Sequence, residues 1–460
     1  MKKCLALLLA LMLCLGTAAL AEQVEGPIFE SDSLYDIAIV KEGDAFIYTD
    51  RRTGKGVVTM DGQRLCDPVF GALSWEGYGY LEAINENGLD THGLIDMQGN
   101  EMIPYKYSAF QVFSENWAGA VVLTPTEDED ADYSSGYFGT GDRYNIDHMD
   151  IYRLPEGTQV GTLDRQSFSK ARSVGQGEYL LVKDRNDGLT LYNSQFEKVD
   201  HLFESFNDPE IVLRQENSMS KMEAFFAATG AKLEGFDAER LSRLDGKEDY
   251  IIVRKTVTVN MKKRDAYGLM NNAGEMISKI EMPDIVRLCD GRYVYVREYR
   301  DGVSCNGVYD LEAGKMIVPM EYDDIYYTDD QGCFNGYFLV KKGDKLGYVD
   351  TEGNVTCPIE YAKDSIYRKL GACFVVKEGE QLTLVAADGT VTDLSALGAR
   401  DGFWHEYGAD GRYFTAQNDE GKYCIMDWHG NFIVEFDLDS IPEFYRDGYV
   451  AYDGSIFHIA

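Results

Sequence analysis

The stretch "KLGYVDTEGNVTCPIEY", Lys345 to Tyr361, decides the fold because its skeleton recurs along the chain. Together with the preceding "GYFLVKKG", Gly336 to Gly343, its first part is rich in aromatic and β-branched residues and predicts a two-stranded hairpin. The Asp-x-x-Gly that follows favours a type I turn, so Asp350 and Gly353 are predicted turn residues. Pro358 cannot donate to a ladder, and it therefore ends the next strand or marks a sheet edge.

The same skeleton can be aligned on the turn glycine through most of the chain. A further unit, Gly188 to Val199, carries Phe196 where the glycine belongs, and the spacing between successive anchors is close to 39 residues. The exception is a spacing of 58 residues, which an acidic loop insertion at 124–150 explains. The other anchors are Gly62, Gly99, Gly157, Gly230, Gly274, Gly314, Gly389 and Gly430.

The best-conserved copies of the pattern are "GLIDMQGNEMIPYKY" (Gly93 to Tyr107), "GVYDLEAGKMIVPMEY" (Gly307 to Tyr322) and "GYVDTEGNVTCPIEY" (Gly347 to Tyr361). Their order of glycine, turn, proline and tyrosine resembles the WG repeat family. The chain departs from the family in the residue before the strand glycine, which is His92, Asn306 or Leu346 and never Trp. The resemblance implies a repeat architecture with an interaction role and brings no shared enzymatic chemistry.

These features predict an all-β fold, an open and curved array of about ten hairpin repeats over residues 22–460. The tail, Asp447 to Ala460, repeats only the opening hairpin of a unit and is expected to cap the array. One or two β-propellers are the alternative, disfavoured because the head of the chain looks complete and propellers usually have 4 to 8 blades. Tyr107, Tyr322 and Tyr361 follow the prolines at a fixed distance and are expected to pack one unit against the next.

The N-terminus predicts export. Lys2 and Lys3 precede an apolar run that ends in an A-x-A arrangement at Ala19 and Ala21, so residues 1–21 are interpreted as a cleaved signal peptide. A lipid anchor on Cys14 is disfavoured because Leu13 precedes it, and no later segment is apolar enough to span a membrane. Localisation is therefore expected to be secreted or extracytoplasmic.

The charge of the chain excludes some partners. Without the signal peptide it has 42 basic and 78 acidic residues, a net charge near −36. Such a surface repels phosphate backbones, so no nucleic-acid partner is expected. A hydrophobic content of 45% shows that the chain can bury a core.

No motif for catalysis, a cofactor or a metal stands out. The six histidines, His92, His148, His201, His405, His429 and His458, form no recognised constellation. Asp128, Asp130 and Asp132 alternate as in a calcium loop, but Tyr133 and Gly139 occupy the places of its glycine and glutamate. Seven cysteines follow the signal peptide, and they are interpreted as buried small residues, with one or more disulfides as the alternative.

The tyrosines offer the one hint of a ligand surface. In "GRYVYVREY" and "DDIYYTDD" strand alternation places one residue of each neighbouring pair outward. A ligand face is therefore expected at Tyr326 or Tyr327 and at Tyr293 or Tyr295, and the sequence leaves the choice within each pair open.

Three functional hypotheses follow. The first is a secreted, non-enzymatic scaffold that binds a protein or a component of the cell envelope. The second is a glycan-binding module, motivated by the tyrosines. The third is a hydrolase of the glycoside type, in which distant repeats bring two carboxylates together.

Overall fold

The structure, a computed structural model, describes residues 27–30, 34–39, 45–85, 91–125, 144–164, 169–215, 222–236, 238–244, 247–259, 261–327, 331–404, 411–445, 448–453 and 455–459. The predicted signal peptide at 1–21 lies outside these ranges. So do His405 and the aspartates at 128, 130 and 132.

The regular secondary structure of the described chain is almost entirely β-strand. The strands of its first half are β1 (Phe29–Glu30), β2 (Leu34–Ile39), β3 (Ala45–Asp50), β4 (Gly54–Thr59), β5 (Arg64–Gly77), β6 (Tyr80–Asn85), β7 (His92–Asp96), β8 (Glu101–Tyr107), β9 (Ala109–Ser114), β10 (Trp117–Pro125), β11 (Tyr144–Arg153), β12 (Thr158–Asp164), β13 (Lys170–Val174), β14 (Tyr179–Lys183), β15 (Leu189–Tyr192), β16 (Lys198–Val199), β17 (Ile211–Arg214), β18 (Glu223–Phe226), β19 (Lys232–Leu233), β20 (Arg240–Leu244), β21 (Lys247–Val259) and β22 (Lys262–Asn271). Those of its second half are β23 (Ile285–Cys289), β24 (Tyr293–Arg300), β25 (Val303–Asp310), β26 (Lys315–Tyr322), β27 (Asp324–Ile325), β28 (Tyr337–Lys342), β29 (Lys345–Asp350), β30 (Val355–Ala362), β31 (Ile366–Lys369), β32 (Cys373–Glu378), β33 (Gln381–Ala386), β34 (Val391–Asp393), β35 (Asp401–Trp404), β36 (Tyr413–Gln417), β37 (Tyr423–Asp427), β38 (Phe432–Leu438), β39 (Glu443–Phe444), β40 (Tyr449–Tyr452) and β41 (Ser455–His458). A single turn of 3-10 helix, Lys363–Ser365, follows β30.

The strands form antiparallel sheets in sequence order, and the chain divides into two compact units. The N-terminal unit is Ser33–Arg287; its sheets have the orders β2 to β8, β9 to β12, β13 to β16, β17 to β19 and β20 to β22. The C-terminal unit is Leu288–Ala460 with Met1–Asp32; its sheets run β23 to β26, β27 to β30, β31 to β34, β35 to β38 and β39-β40-β41-β1. The sequence pattern starts each unit at the hairpin, but each four-stranded sheet contains one further strand before it. A first strand such as β27 is only two residues long, so it shows no alternation of apolar and polar residues that could be detected.

The prediction of an open array is wrong. The last sheet uses both ends of the chain, because β1 pairs with β41 in the register Phe29↔Ile456 and Glu30↔Ser455. A sheet shared by the two termini is the closure of a β-propeller, which was the alternative. The terminal hairpin is therefore part of a sheet and not a cap, and β1 is too short to be detected from sequence.

The opening stretch forms the predicted hairpin and turn. The strands β28 and β29 pair from Tyr337↔Asp350 to Lys342↔Lys345. The carboxylate of Asp350 then accepts the backbone N–H groups of Glu352 at 2.9 Å and Asn354 at 2.8 Å. Gly353 has φ +86, the left-handed value that the turn requires. Asp350 and Gly353 are thus confirmed as turn residues.

The proline marks a bulge in an edge strand rather than a strand end. The residue pairs on either side of Gly347 enclose one residue of β29 but three of β30, including Pro358. A Cβ on Gly347 would lie 2.6 Å from the carbonyl oxygen of Cys357 and 2.7 Å from that of Pro358. The strand glycine of the motif is therefore required by the close approach of the bulge. The same three-against-one pairing recurs at Gly56, Gly93 and Gly307.

The turn glycines also set the stacking of one sheet on the next. A Cβ on Gly353 would lie 2.3 Å from the carbonyl oxygen of Ile317, in the outer strand of the preceding sheet. A Cβ on Gly389 would lie 3.0 Å from the carbonyl oxygen of Thr356 in the same way, and the hydroxyl of Thr356 donates to the carbonyl of Ala387 at 2.6 Å. Each turn therefore rests on the strand before it.

Phe196 confirms the turn of the unit that lacks a glycine. Its φ is 60, a left-handed value that is unfavourable for an aromatic residue. Its ring stacks on Tyr192 at 4.2 Å between centroids and leaves no room for a side chain at Gly161. These contacts offset the backbone strain.

The core consists of clusters between successive sheets. The predicted packing of the tyrosines is confirmed: Tyr107 lies edge-to-face with Phe110 of the next sheet at 5.7 Å, and Tyr361 with Phe374 at 5.2 Å. Middle strands such as β29 are buried on both faces, because a sheet lies on either side.

The two ends of the predicted insertion at 124–150 belong to strands: its start is the end of β10 and its end lies in β11, and these strands pair as far as Pro125↔Tyr144. Residues 126–143 lie outside the described ranges. No helix in the described residues has the length and apolarity needed to cross a membrane.

Candidate functional site

The four tyrosines named from the sequence lie in the C-terminal unit, and the structure separates the members of each pair. Tyr295 is buried with 3% of its surface exposed, and burial raises the pKa of its hydroxyl far above the usual value. Tyr293 is half-buried and meets Phe338 edge-to-face at 5.3 Å. Tyr327 is 38% exposed. Tyr293 and Tyr327 are thus the outer members.

Tyr326, though half-buried, has the more informative surroundings. It follows β27, and its backbone N–H donates to the carbonyl of Leu339 at 2.9 Å. One face of its ring is covered by the ammonium of Lys369, whose nitrogen lies 3.2 Å from the ring centroid. Lys369 is the last residue of β31, the first strand of the following sheet. The contact therefore joins two neighbouring sheets through a cation–π interaction.

Two further lysines lie around this contact. Partial loss of water, and then the nearby positive charges of Lys363 and Lys341, lower the pKa of Lys369 to about 8, against the opposing effect of Asp324. Within the described residues none of the three lysines forms an ion pair with a carboxylate. We call Lys341, Lys363 and Lys369 the lysine cluster.

A second group of cations surrounds Tyr367, two residues before Lys369. The guanidinium of Arg368 lies 4.7 Å and the ammonium of Lys377 4.6 Å from the centroid of the Tyr367 ring. The Tyr367 hydroxyl donates to Asp401 at 2.8 Å, and this hydrogen bond lowers the pKa of the carboxyl group. Tyr367 on β31 thus contacts two cations and, through Asp401, the first strand of the following sheet.

A different surface of the same unit carries exposed apolar residues at a repeated position. Met316, Val355 and Val391 each lie two residues after a turn glycine, at the start of the outer strand of successive sheets. They are 37%, 54% and 56% exposed. Because each turn rests on the outer strand before it, these residues follow one another in space. We call them the apolar row.

The hydrolase hypothesis predicts two converging carboxylates, and the N-terminal unit contains one candidate pair on β5 and β6. Burial, and then the negative charge of Glu82, raises the pKa of Glu76 to about 7. Glu82 is itself engaged, since one oxygen is hydrogen-bonded to Nδ1 of His92 and the other accepts the N–H of Phe110 at 3.3 Å. These bonds give Glu82 a structural role between two sheets.

A second buried polar group lies at the same pair of sheets. The Tyr107 hydroxyl donates to Asp150 at 2.8 Å and lies 2.6 Å from the Tyr152 hydroxyl. Thr162 donates to the other oxygen of Asp150 at 2.7 Å. Burial and these hydrogen bonds strongly raise the pKa of Tyr107. With all their oxygens paired, the groups stabilise the core rather than present a reactive surface.

The remaining histidines occupy separate places. His429 lies in a turn, as its position in the repeat indicates, and is 3.1 Å from Asp388. His148 contacts Asp147 at 2.8 Å, and His458 packs on the ring of Tyr449 at 4.7 Å. Among the described residues, no group of three or more potential metal ligands is close enough to hold an ion.

The seven cysteines are free thiols in the structure. Five are buried, as predicted for small core residues, and Cys305 and Cys333 are half-buried. Burial raises the pKa of Cys357 to about 11 and that of Cys424 to about 12. These thiols are therefore poor nucleophiles.

Sequence reasoning identified Tyr326 as one of two alternatives but missed the lysine cluster. Its members lie on different strands, separated by 22 and 6 positions, so no linear motif unites them. A signal was present in the local charge: residues 336–377 contain seven basic and five acidic residues, in a chain with a net charge of −34.

The place of the missing motif tryptophan is filled in different ways. His92 bonds to Glu82, and Asn306 donates through its side-chain amide to the carbonyl of Asp323 at 2.7 Å. Leu346 is buried in an apolar cluster. Each residue reaches the neighbouring strand, by a polar or an apolar contact.

Comparisons with solved structures give weak likenesses. A eukaryotic initiation factor is similar at 12% identity and a TM-score of 0.33, over 76% of this chain and 95% of that one. The computationally designed protein Ika8 is similar at 12% identity and a TM-score of 0.21, over 80% and 98%. BamB from Moraxella catarrhalis is similar at 10% identity and a TM-score of 0.23, also over 80% and 98%. Nothing about function follows from likenesses of this size.

Curated proteins gave no match to the chain. Two segments, residues 93–122 and 307–345, match the family model of the WG containing repeat. They include the first two copies of the pattern from which the resemblance was drawn, one in each unit. These two segments are therefore WG containing repeats.

Proposed function

We propose that this protein is an exported, non-enzymatic scaffold that binds a protein partner, or a protein component of the cell envelope, along the apolar row. The observation that carries the proposal is the recurrence of Met316, Val355 and Val391 at one position of three successive sheets. Isolated exposed apolar residues are common on protein surfaces, but a series that recurs at the same position of successive sheets is typical of an interaction surface.

The geometry of the outer strands supports this proposal. The strands β26, β30 and β34 are the last of their sheets, so one edge of each has no neighbour in the sheet. The proline bulges of β26 and β30 interrupt these edges and oppose continuous strand addition. A partner is therefore expected to contact the side chains of the row rather than extend a sheet.

The proposal can be tested with a triple variant, Met316→Lys, Val355→Lys and Val391→Lys. Val303→Lys is the control, because Val303 is equally exposed at 56% but lies outside the row. Envelope fractions of the producing cells are incubated with each protein, and the bound protein is quantified after sedimentation. Binding that is lost in the triple variant and kept in the control supports the proposal. Equal binding by all three proteins contradicts it.

Glycan binding is the second candidate, favoured by the exposure of aromatic residues. Tyr299 is 66% and Trp404 is 47% exposed, and sugars stack on such rings. A screen against neutral polysaccharides, with Trp404→Ala for comparison, tests it. The hypothesis fails if no neutral polysaccharide binds.

A further inference from the structure

The lysine cluster is unusual because of its electrostatic setting. The chain has a net charge of −34, and several of its cations form ion pairs with carboxylates. Lys232 lies 2.7 Å from Glu223, and Lys422 lies 2.7 Å from Asp439. The three lysines of the cluster have no such partner within the described residues, so their mutual repulsion is not neutralised by a paired carboxylate.

The fold brings the three lysines together from separate elements. Lys341 lies in β28 opposite Asp324, and Lys369 ends β31 in the next sheet. Lys363 opens the 3-10 turn between those sheets and is fixed by its backbone N–H, which donates to the carbonyl of Asp344 at 2.8 Å. The elements are thus held by backbone hydrogen bonds, while Lys363 and Lys369 remain exposed to solvent.

Tyr326 positions one of the ammonium groups. With its nitrogen 3.2 Å from the ring centroid, Lys369 is held over the aromatic face and loses part of its hydration on that side. The pKa of Lys369 is lowered first by this loss of water and then by the positive charges of Lys363 and Lys341. A bound anion would relieve the repulsion, and it would favour the protonated amine.

We propose that Lys341, Lys363 and Lys369 form a binding site for a phosphate group, either as the free ion or as the phosphodiester of a polymer. Ammonium groups are compact charges with three donors each, and they suit the several oxygens of phosphate. This site differs from the apolar row in its residues and chemistry, so either proposal can fail without the other.

The experiment measures binding of inorganic phosphate and of poly(glycerol phosphate) to the full chain by calorimetry at pH 7. Lys369→Met should weaken both by about tenfold, the usual loss for one charge-assisted hydrogen bond. Lys369→Arg keeps the charge and should bind more tightly than Lys369→Met. Asp324→Asn removes the negative charge that raises the pKa of Lys369, and it should strengthen binding, an effect that a merely structural role would not produce.

The matched control removes the same charge elsewhere. Lys232→Met and Lys422→Met each delete a lysine that is paired with a carboxylate, and binding should stay within twofold of the wild type. Tighter binding of the polymer than of the free ion identifies a phosphodiester ligand, and equal binding per phosphate identifies the ion. The proposal is overturned if neither probe binds at millimolar concentration. It is also overturned if the control variants weaken binding as much as Lys369→Met does.

Discussion

Replacing Gly347 by alanine tests the explanation of the motif glycine. The new Cβ would lie 2.6 to 2.8 Å from backbone atoms of Cys357, Pro358 and Ile359, closer than Cβ atoms approach other heavy atoms. The bulge must therefore move by several tenths of an ångström. Overpacking of this kind typically costs about 1–3 kcal/mol, and loss of one ladder hydrogen bond adds about 1 kcal/mol. We expect Gly347→Ala to reduce the free energy of unfolding by about 3 kcal/mol.

The control is Gly343→Ala in the hairpin turn just before it. Gly343 has φ +64, but a Cβ there would meet no atom within 4 Å. Its cost is therefore limited to the left-handed backbone, about 1 kcal/mol. Urea unfolding followed by tryptophan fluorescence compares the two variants, and Trp428, whose ring lies 5.6 Å from that of Tyr337, is one of the four tryptophans that contribute. A midpoint for Gly347→Ala at or above that of Gly343→Ala would refute the reasoning.

One natural exception sharpens the test. In the next sheet but one, Cys424 occupies the place of the strand glycine, and Glu435 occupies the place of the proline. A bulge without proline can thus accommodate a side chain. Pro358→Glu in the Gly347→Ala background should therefore recover part of the lost stability. If the free energy of unfolding is not partly restored, Pro358 is not what keeps the bulge close to Gly347.

Three further outcomes are expected. Tyr107→Phe leaves Asp150 without one of its buried donors and should lower the free energy of unfolding by about 1–3 kcal/mol in a thermal melt; an unchanged melting temperature would contradict the network. Unfolded Glu76 loses its proton near pH 4.5 but folded Glu76 keeps it to about pH 7, so the free energy of unfolding should fall as pH rises through this window. Glu76→Gln should flatten that part of the plot of stability against pH. An unaltered slope would exclude Glu76 as its source. Iodoacetamide at pH 8 should label Cys305 faster than Cys333. Both thiols are half-buried, but burial raises the pKa of Cys333 to about 12. Mass spectrometry of the labelled protein showing the reverse order would disprove this.

Much of the fold follows from local chemistry. The turn at Asp350 and Gly353 depends on the conformational freedom of glycine and on an aspartate that accepts nearby N–H groups, both of which act within five residues. The packing of Tyr107 was predicted because regular spacing places it at the same point of each unit. Such features are encoded within a short stretch of sequence, and they recur wherever that stretch recurs.

What could not be predicted depends on distant contacts. The pairing of Phe29 with Ile456 joins the ends of the chain and leaves no periodic trace in two residues. The approach of Lys369 to Tyr326 depends on how neighbouring sheets stack, which hydrophobic pattern alone does not specify. The pairing of Glu82 with His92 likewise required the register of two strands.

The pairing of β1 with β41 has a consequence for the order of folding. Phe29 and Ile456 are separated by 427 positions, and closing a loop of that length in an unfolded chain costs about 5 kcal/mol in entropy. Two residue pairs at about 1 kcal/mol each cannot repay this cost. Closure can therefore form only after the intervening sheets have brought the ends together, and it should be the first contact to open. Amide hydrogens of β1 are expected to exchange with solvent sooner than those of β29.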